Sequence, residues 1–74
     1  MQYEKYLLRI RYLRELVIKE RTGPPKELAR KLGISERMVY RYLQMLNEEN
    51  PISYSRLKKS YIFSTLPQNG SDVL

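Results

Sequence analysis

Residues 26–46, KELARKLGISERMVYRYLQML, decide the fold. Ahead of the glycine, PKELARKL (25–32) sets Leu28, Ala29 and Leu32 at i, i+1 and i+4. These form one apolar edge of a short helix otherwise covered by Lys26, Glu27, Arg30 and Lys31. Gly33 can adopt the left-handed conformation that closes such a helix. Ser35 is a good N-cap for the next one, and Glu36 behind it suits the positive end of a helix dipole. The spacing then predicts a helix over 36–48. Val39, Leu43 and Leu46 form its inward stripe, Ile34 packs down on the same core, and Asn50-Pro51 ends it. A joint of only three residues, Gly33-Ile34-Ser35, forces the two helices to cross steeply. Leu28, Ala29, Ile34, Val39 and Leu43 knit that crossing together.

One side of the second helix is left over. It carries Glu36, Arg37, Tyr40, Arg41 and Gln44. Two short helices at this spacing have the form of a helix-turn-helix, whose second helix enters the DNA major groove. The residue types suit that task. Arg grips guanine through O6 and N7, worth about 1–3 kcal/mol of discrimination. Tyr reaches a phosphate or a thymine methyl. Ser35, with the first-turn amides, suits a phosphate. The competing reading of Arg37 and Arg41 is a solvated helix face, or a pairing with a nearby Glu; that of Tyr40 is ordinary surface packing. Met38, Tyr42 and Met45 form a second, semi-apolar stripe, expected to be half-buried against whatever follows the helix.

Working outward, residues 3–21 read as a helix with Tyr3, Tyr6, Ile10, Leu13 and Val17 in one stripe. Gly23 is the expected stop, and Pro24-Pro25 prevents continuation, with Pro25 at home in the first turn of the next helix. Leu8 and Tyr12 lie opposite the stripe, with Leu16 beside them. A thin core cannot bury both sides, so these three residues are expected to form a homodimer interface by antiparallel packing of first helices; scattered surface apolars are the plainer explanation. Downstream, 52–55 (ISYS) and 60–64 (SYIFS) alternate with period two, placing Ile52 with Tyr54 and Tyr61 with Phe63. They read as a hairpin that packs on the helices, since an isolated hairpin is marginal in water. Arg56, Lys58 and Lys59 sit at its tip with no acid among them, suited to flanking backbone or minor groove, although lysine is also common on exposed turns. Residues 65–74 (TLPQNGSDVL) read as a flexible C-terminal tail, leaving 1–64 as the domain.

Composition narrows the function. The chain has 74 residues, a net charge of +6 and no His, Cys or Trp. A domain this small buries only about 60% of its unfolded surface, and no disulfide compensates. The usual zinc ligands are missing, as are Ser-His and Cys-His nucleophile pairs. Asp72 is the only Asp, and Glu48 and Glu49 are adjacent and splay apart on a helix. No enzyme, metal or cofactor is expected. Apolar runs are only a few residues long, far short of about 20 for a bilayer span, and the start lacks the layout of a signal peptide. A cytoplasmic location with no membrane partner follows as the expectation. The charge is concentrated: residues 9–41 hold ten Lys/Arg against four Glu, and 53–60 hold three more with no acid. Such a balance makes nucleic acid the first partner to test, ahead of anionic membranes and acidic proteins.

The run PKELARKLGISERMVYRYLQMLNEENPISYSRLKKSYIF resembles the winged helix-turn-helix at the amino terminus of many bacterial regulators, such as DeoR-type repressors, WYL-domain regulators and the biotin operon repressor. The matching elements are Glu27-Leu28-Ala29, then Gly33-Ile34-Ser35, then Val39-Tyr40-Arg41-Tyr42-Leu43. A wing follows, from Pro51-Ile52 through Tyr54 and from Tyr61 through Phe63. The resemblance spans roughly residues 7–64. It implies a three-helix bundle plus a β-hairpin wing, mainly α. Ser35, Glu36, Arg37, Tyr40 and Arg41 would face DNA, with Arg56, Lys58 and Lys59 in the wing. Tyr42 departs from the family, where that position is often acidic or polar, which points its ring toward a partner surface. Larger members carry an effector or enzymatic domain after the wing, whereas this sequence runs ten residues past it.

The resulting expectation is a double-stranded DNA-binding protein, a sequence-specific transcriptional regulator of bacterial or phage type. It would read the major groove with helix 36–48, Gln44 included, and backbone or minor groove with 56–59. The alternative is a winged-helix protein-interaction module in a larger complex, docking through Met38, Tyr42 and Met45. RNA binding is a third reading, disfavoured because Tyr54, Tyr61 and Phe63 look committed to the core.

Overall fold

The computed structural model describes residues 2–64; residues 65–74, read above as a flexible tail, lie outside them. Three helices precede a hairpin: α1 (Gln2–Ile18), α2 (Pro25–Leu32), α3 (Glu36–Glu49), β1 (Ile52–Ser55) and β2 (Ser60–Phe63). The strands pair antiparallel, Ile52 opposite Phe63 and Tyr54 opposite Tyr61. The architecture is a mainly helical three-helix bundle with a two-stranded wing.

The core is built where the apolar periodicities converge. Leu13 and Val17 of α1, Leu28, Ala29 and Leu32 of α2, Val39, Leu43 and Leu46 of α3, and Phe63 of β2 are buried together. Tyr6, Ile10 and Ile34 pack against them. Tyr3 is exposed, so the α1 stripe begins one turn later than its spacing predicts.

The end of α1 differs from the sequence reading. The helix stops at Ile18 rather than at 21, and Gly23 is not its cap. Arg21 N–H donates to Leu16 C=O (2.9 Å) and Glu20 N–H to Val17 C=O (3.0 Å), the paired bonds of a Schellman motif. Its left-handed residue is Glu20, at φ 59°. Gly23 is also left-handed, at φ 73°, but serves the turn into α2; a Cβ there would lie 2.6 Å from Glu27 Oε1. The end of α2 follows the sequence: Gly33 at φ 71° donates to Arg30 C=O (3.2 Å), and Ile34 N–H to Ala29 C=O (3.0 Å).

A buried polar clasp ties the α1–α2 joint to the wing. Thr22 and Ser60 are both fully enclosed. Thr22 N–H donates to Ser60 Oγ (3.0 Å), and Tyr61 N–H donates to Thr22 Oγ1 (2.8 Å). The two hydroxyls donate in turn to the carbonyls of Gly23 (2.9 Å) and Tyr61 (2.9 Å). Every enclosed polar group thus has a partner, as burial demands. Lys31 Nζ adds a bond to Arg21 C=O (2.8 Å) from α2.

Candidate nucleic-acid interface

The joint 33–35 sets α3 in place. Ser35 is its N-cap, and its Oγ accepts from Met38 N–H (3.2 Å). At 100° per residue, Glu36, Arg37, Tyr40, Arg41 and Gln44 span about 140° of the helix circumference. All five are exposed, while Val39, Leu43 and Leu46 anchor the opposite side. The described residues form two ion pairs, Arg14–Glu49 (2.7 Å) and Lys58–Glu20 (2.7 Å). Arg37 and Arg41 belong to neither. Their guanidinium groups are therefore not engaged by the protein's own carboxylates, and they stand on a surface whose remaining members are neutral apart from Glu36.

The wing lies alongside this surface. Tyr40 and Gln44 of α3 line an open groove of about 390 Å³ together with Tyr54 and Tyr61 of the hairpin. Tyr54 and Tyr61 meet edge to face, centroids 4.9 Å apart. Burial, then the neighbouring Tyr40 and Tyr54 hydroxyls, raise the Tyr61 phenol above its ordinary value. Asn47 closes the far end, its Oδ1 accepting from Ile52 N–H (2.7 Å) where the chain leaves α3 for β1.

Four sequence expectations change here. Tyr54 is not core: it is 38% exposed and contributes to the groove, with only Phe63 of the strand aromatics fully buried. Lys58 is not free of acids, because Glu20 arrives from the α1–α2 joint, distant in sequence. Arg56 and Lys59 remain the unpaired cations of the tip, with Lys59 in a left-handed conformation at φ 53° that closes the turn in the absence of Asn-Gly. Tyr42 does not face a partner surface. It is 3% exposed and packs edge to face on Tyr6 of α1, centroids 5.6 Å apart. With Met38 packed against the core and Met45, 36% exposed, accepting from the Tyr6 hydroxyl (3.1 Å), most of the suggested docking stripe is spent on the bundle itself. Leu16 likewise packs against the core, whereas Leu8 and Tyr12 are exposed.

A helix pair with a three-residue joint, a second helix that exposes Arg37 and Arg41, and a hairpin at its flank define a winged helix-turn-helix. The model of the HTH domain family matches residues 9–62, and the chain belongs to this family: it is a helix-turn-helix DNA-binding domain of the type found at the amino terminus of DeoR-like, WYL-domain and biotin-repressor regulators. Neither a curated protein nor a solved structure matches the chain. No helix among the described residues is long and apolar enough to cross a membrane.

Proposed function

We propose that the protein is a sequence-specific transcriptional regulator that inserts α3 into the major groove of double-stranded DNA. Arg37 and Arg41 read base edges, Tyr40 and Gln44 assist from the wing side, and Ser35 and Glu36 sit at the helix start nearest the backbone. Arg56 and Lys59 hold the flanking phosphates or minor groove, and Lys58 contributes to the local field while paired with Glu20. The observation that carries this reading is the outward, unpaired placement of Arg37 and Arg41 on a helix anchored from behind by Val39, Leu43 and Leu46.

Selection from a random duplex library, followed by titration of the selected site and of scrambled duplexes, tests it. Neutralising about four phosphates gives a slope near −3.6 in log affinity against log salt. Arg41→Ala relaxes preference at particular base pairs, at a cost of about 1–3 kcal/mol on the selected site. Arg56→Ala combined with Lys59→Ala weakens all duplexes alike and flattens the salt slope. No enriched motif, or equal losses for both variants on every duplex, overturns the division of labour.

A further inference from the structure

The DNA reading leaves one surface unused, the outward side of α1. Leu7 and Leu8 are 41% and 62% exposed there. A hollow of about 520 Å³ lies on this side, lined by Glu4, Leu7, Leu8, Arg11 and Arg14, with Glu49 of α3 at its edge. Arg14 and Glu49 satisfy each other (2.7 Å). Glu4 and Arg11 are in neither ion pair of the described residues.

We propose that this face is a homodimer interface in which the α1 helices of two copies pack antiparallel about a two-fold axis between residues 7 and 8. The pattern of the helix is self-complementary in that register. Glu4 and Arg11, two turns apart, lie about 20° from each other on the circumference, flanked by Leu7 on one side and Leu8 on the other. The two-fold axis sets Glu4 of each copy opposite Arg11 of the other and gathers both Leu7 and both Leu8 side chains around the axis. A parallel arrangement opposes Glu4 to Glu4 and Arg11 to Arg11. An antiparallel pair slipped by four residues sets Glu4 against Glu15 or against Leu7, and one slipped by three sets it against Arg14, which Glu49 already holds. Isologous contact of this kind closes at two copies, because each patch is its own complement. Tyr12 (45% exposed) borders the contact, whereas Leu16, turned into the core, takes no part. A single helix pair falls below the roughly 1,200 Å² of a standard interface, so the dimer is a weak one.

The inference does not depend on DNA binding, and its test contains no nucleic acid. Sedimentation equilibrium of the full chain from about 10 µM to 1 mM, at low salt, should show a reversible monomer–dimer equilibrium. Leu8→Asn should weaken association about tenfold or more, with unchanged helical circular dichroism because the side chain is exposed. Glu4→Arg and Arg11→Glu should each weaken it several-fold, since each turns two attractive pairs into repulsive ones. Mixing the two single variants, or combining both reversals in one chain, should restore association. A chain that is monomeric at 1 mM leaves the face to residues 65–74 or to an unrelated protein and overturns the proposal. Association that ignores Leu8→Asn, or that the paired reversals fail to restore, overturns it as well.

Discussion

The joints that follow α1 and α2 use the same hydrogen bonds by different means. After α2, Gly33 supplies the left-handed residue, and no atom lies within 4 Å of where its Cβ would be. The turn stands on backbone freedom and an N-cap, both local. After α1, Glu20 takes the equivalent position at φ 59°, a conformation that costs a non-glycine residue about 1–2 kcal/mol. That joint is held from outside: Lys58 binds the Glu20 carboxylate, Lys31 binds Arg21 C=O, and Ser60 and Tyr61 bind Thr22. One joint orients α3 by chain chemistry alone. The other fixes the wing to the bundle and carries a strain that the wing's contacts hold in place. Backbone strain of this sort persists where the surroundings over-determine it, and here the surroundings are the wing.

The contrast can be broken at its strongest point first. Thr22→Val removes the acceptor of Tyr61 N–H and the donor to Gly23 C=O in an enclosed site. It should cost about 2–3 kcal/mol, read as a fall in urea midpoint at constant slope. Gly33→Ala meets no steric obstacle and so isolates the backbone cost. A loss of about 1–2 kcal/mol, or roughly 4–8 °C in melting temperature per kcal/mol, is expected. Glu20→Gly should move stability in the opposite direction, a gain below about 1 kcal/mol. Relief of the left-handed strain outweighs the lost ion pair and the greater freedom of the unfolded chain. Should both glycine exchanges shift the melting temperature in the same direction, the two joints are not the contrasting devices described. Lys58→Met should have the smallest effect, a loss below about 0.5 kcal/mol that vanishes when the melt is repeated in high salt, since both partners are substantially exposed.

The readable parts of the chain are those whose cause is local. The limits of α2, the start of α3 and the facing of the strands follow from residues within a turn of one another: the caps, the glycine and the alternation of Ile52, Tyr54, Tyr61 and Phe63. The end of α1 was misread because the sequence offers a glycine at 23, while the left-handed position fell on a residue with no glycine signal. Tyr42 was misread for a different reason. Helical period gives the direction of an apolar stripe but not its width, and α1 widened the buried sector of α3 until it took in that ring. Tyr54 erred the other way: it shares a face with Ile52, Tyr61 and Phe63, yet it stands 38% exposed at the open groove beside α3. Of the candidate contact residues, Arg37 and Arg41 were legible from the stripe behind them, whereas the engagement of Lys58 was not.

Determined by the sequence alone are a basic domain with no His or Cys, its helix pair with a three-residue joint, and the outward side of the second helix. Periodicity, capping and glycine act over a few residues, and their effects are written next to their causes. What the tertiary structure decided is which charges are spoken for, which aromatics are enclosed and how the wing is fastened. Each of those depends on partners tens of residues apart, such as Glu20 with Lys58, Thr22 with Ser60 and Tyr6 with Tyr42. Such pairs meet only once the burial of the common core has brought their elements together.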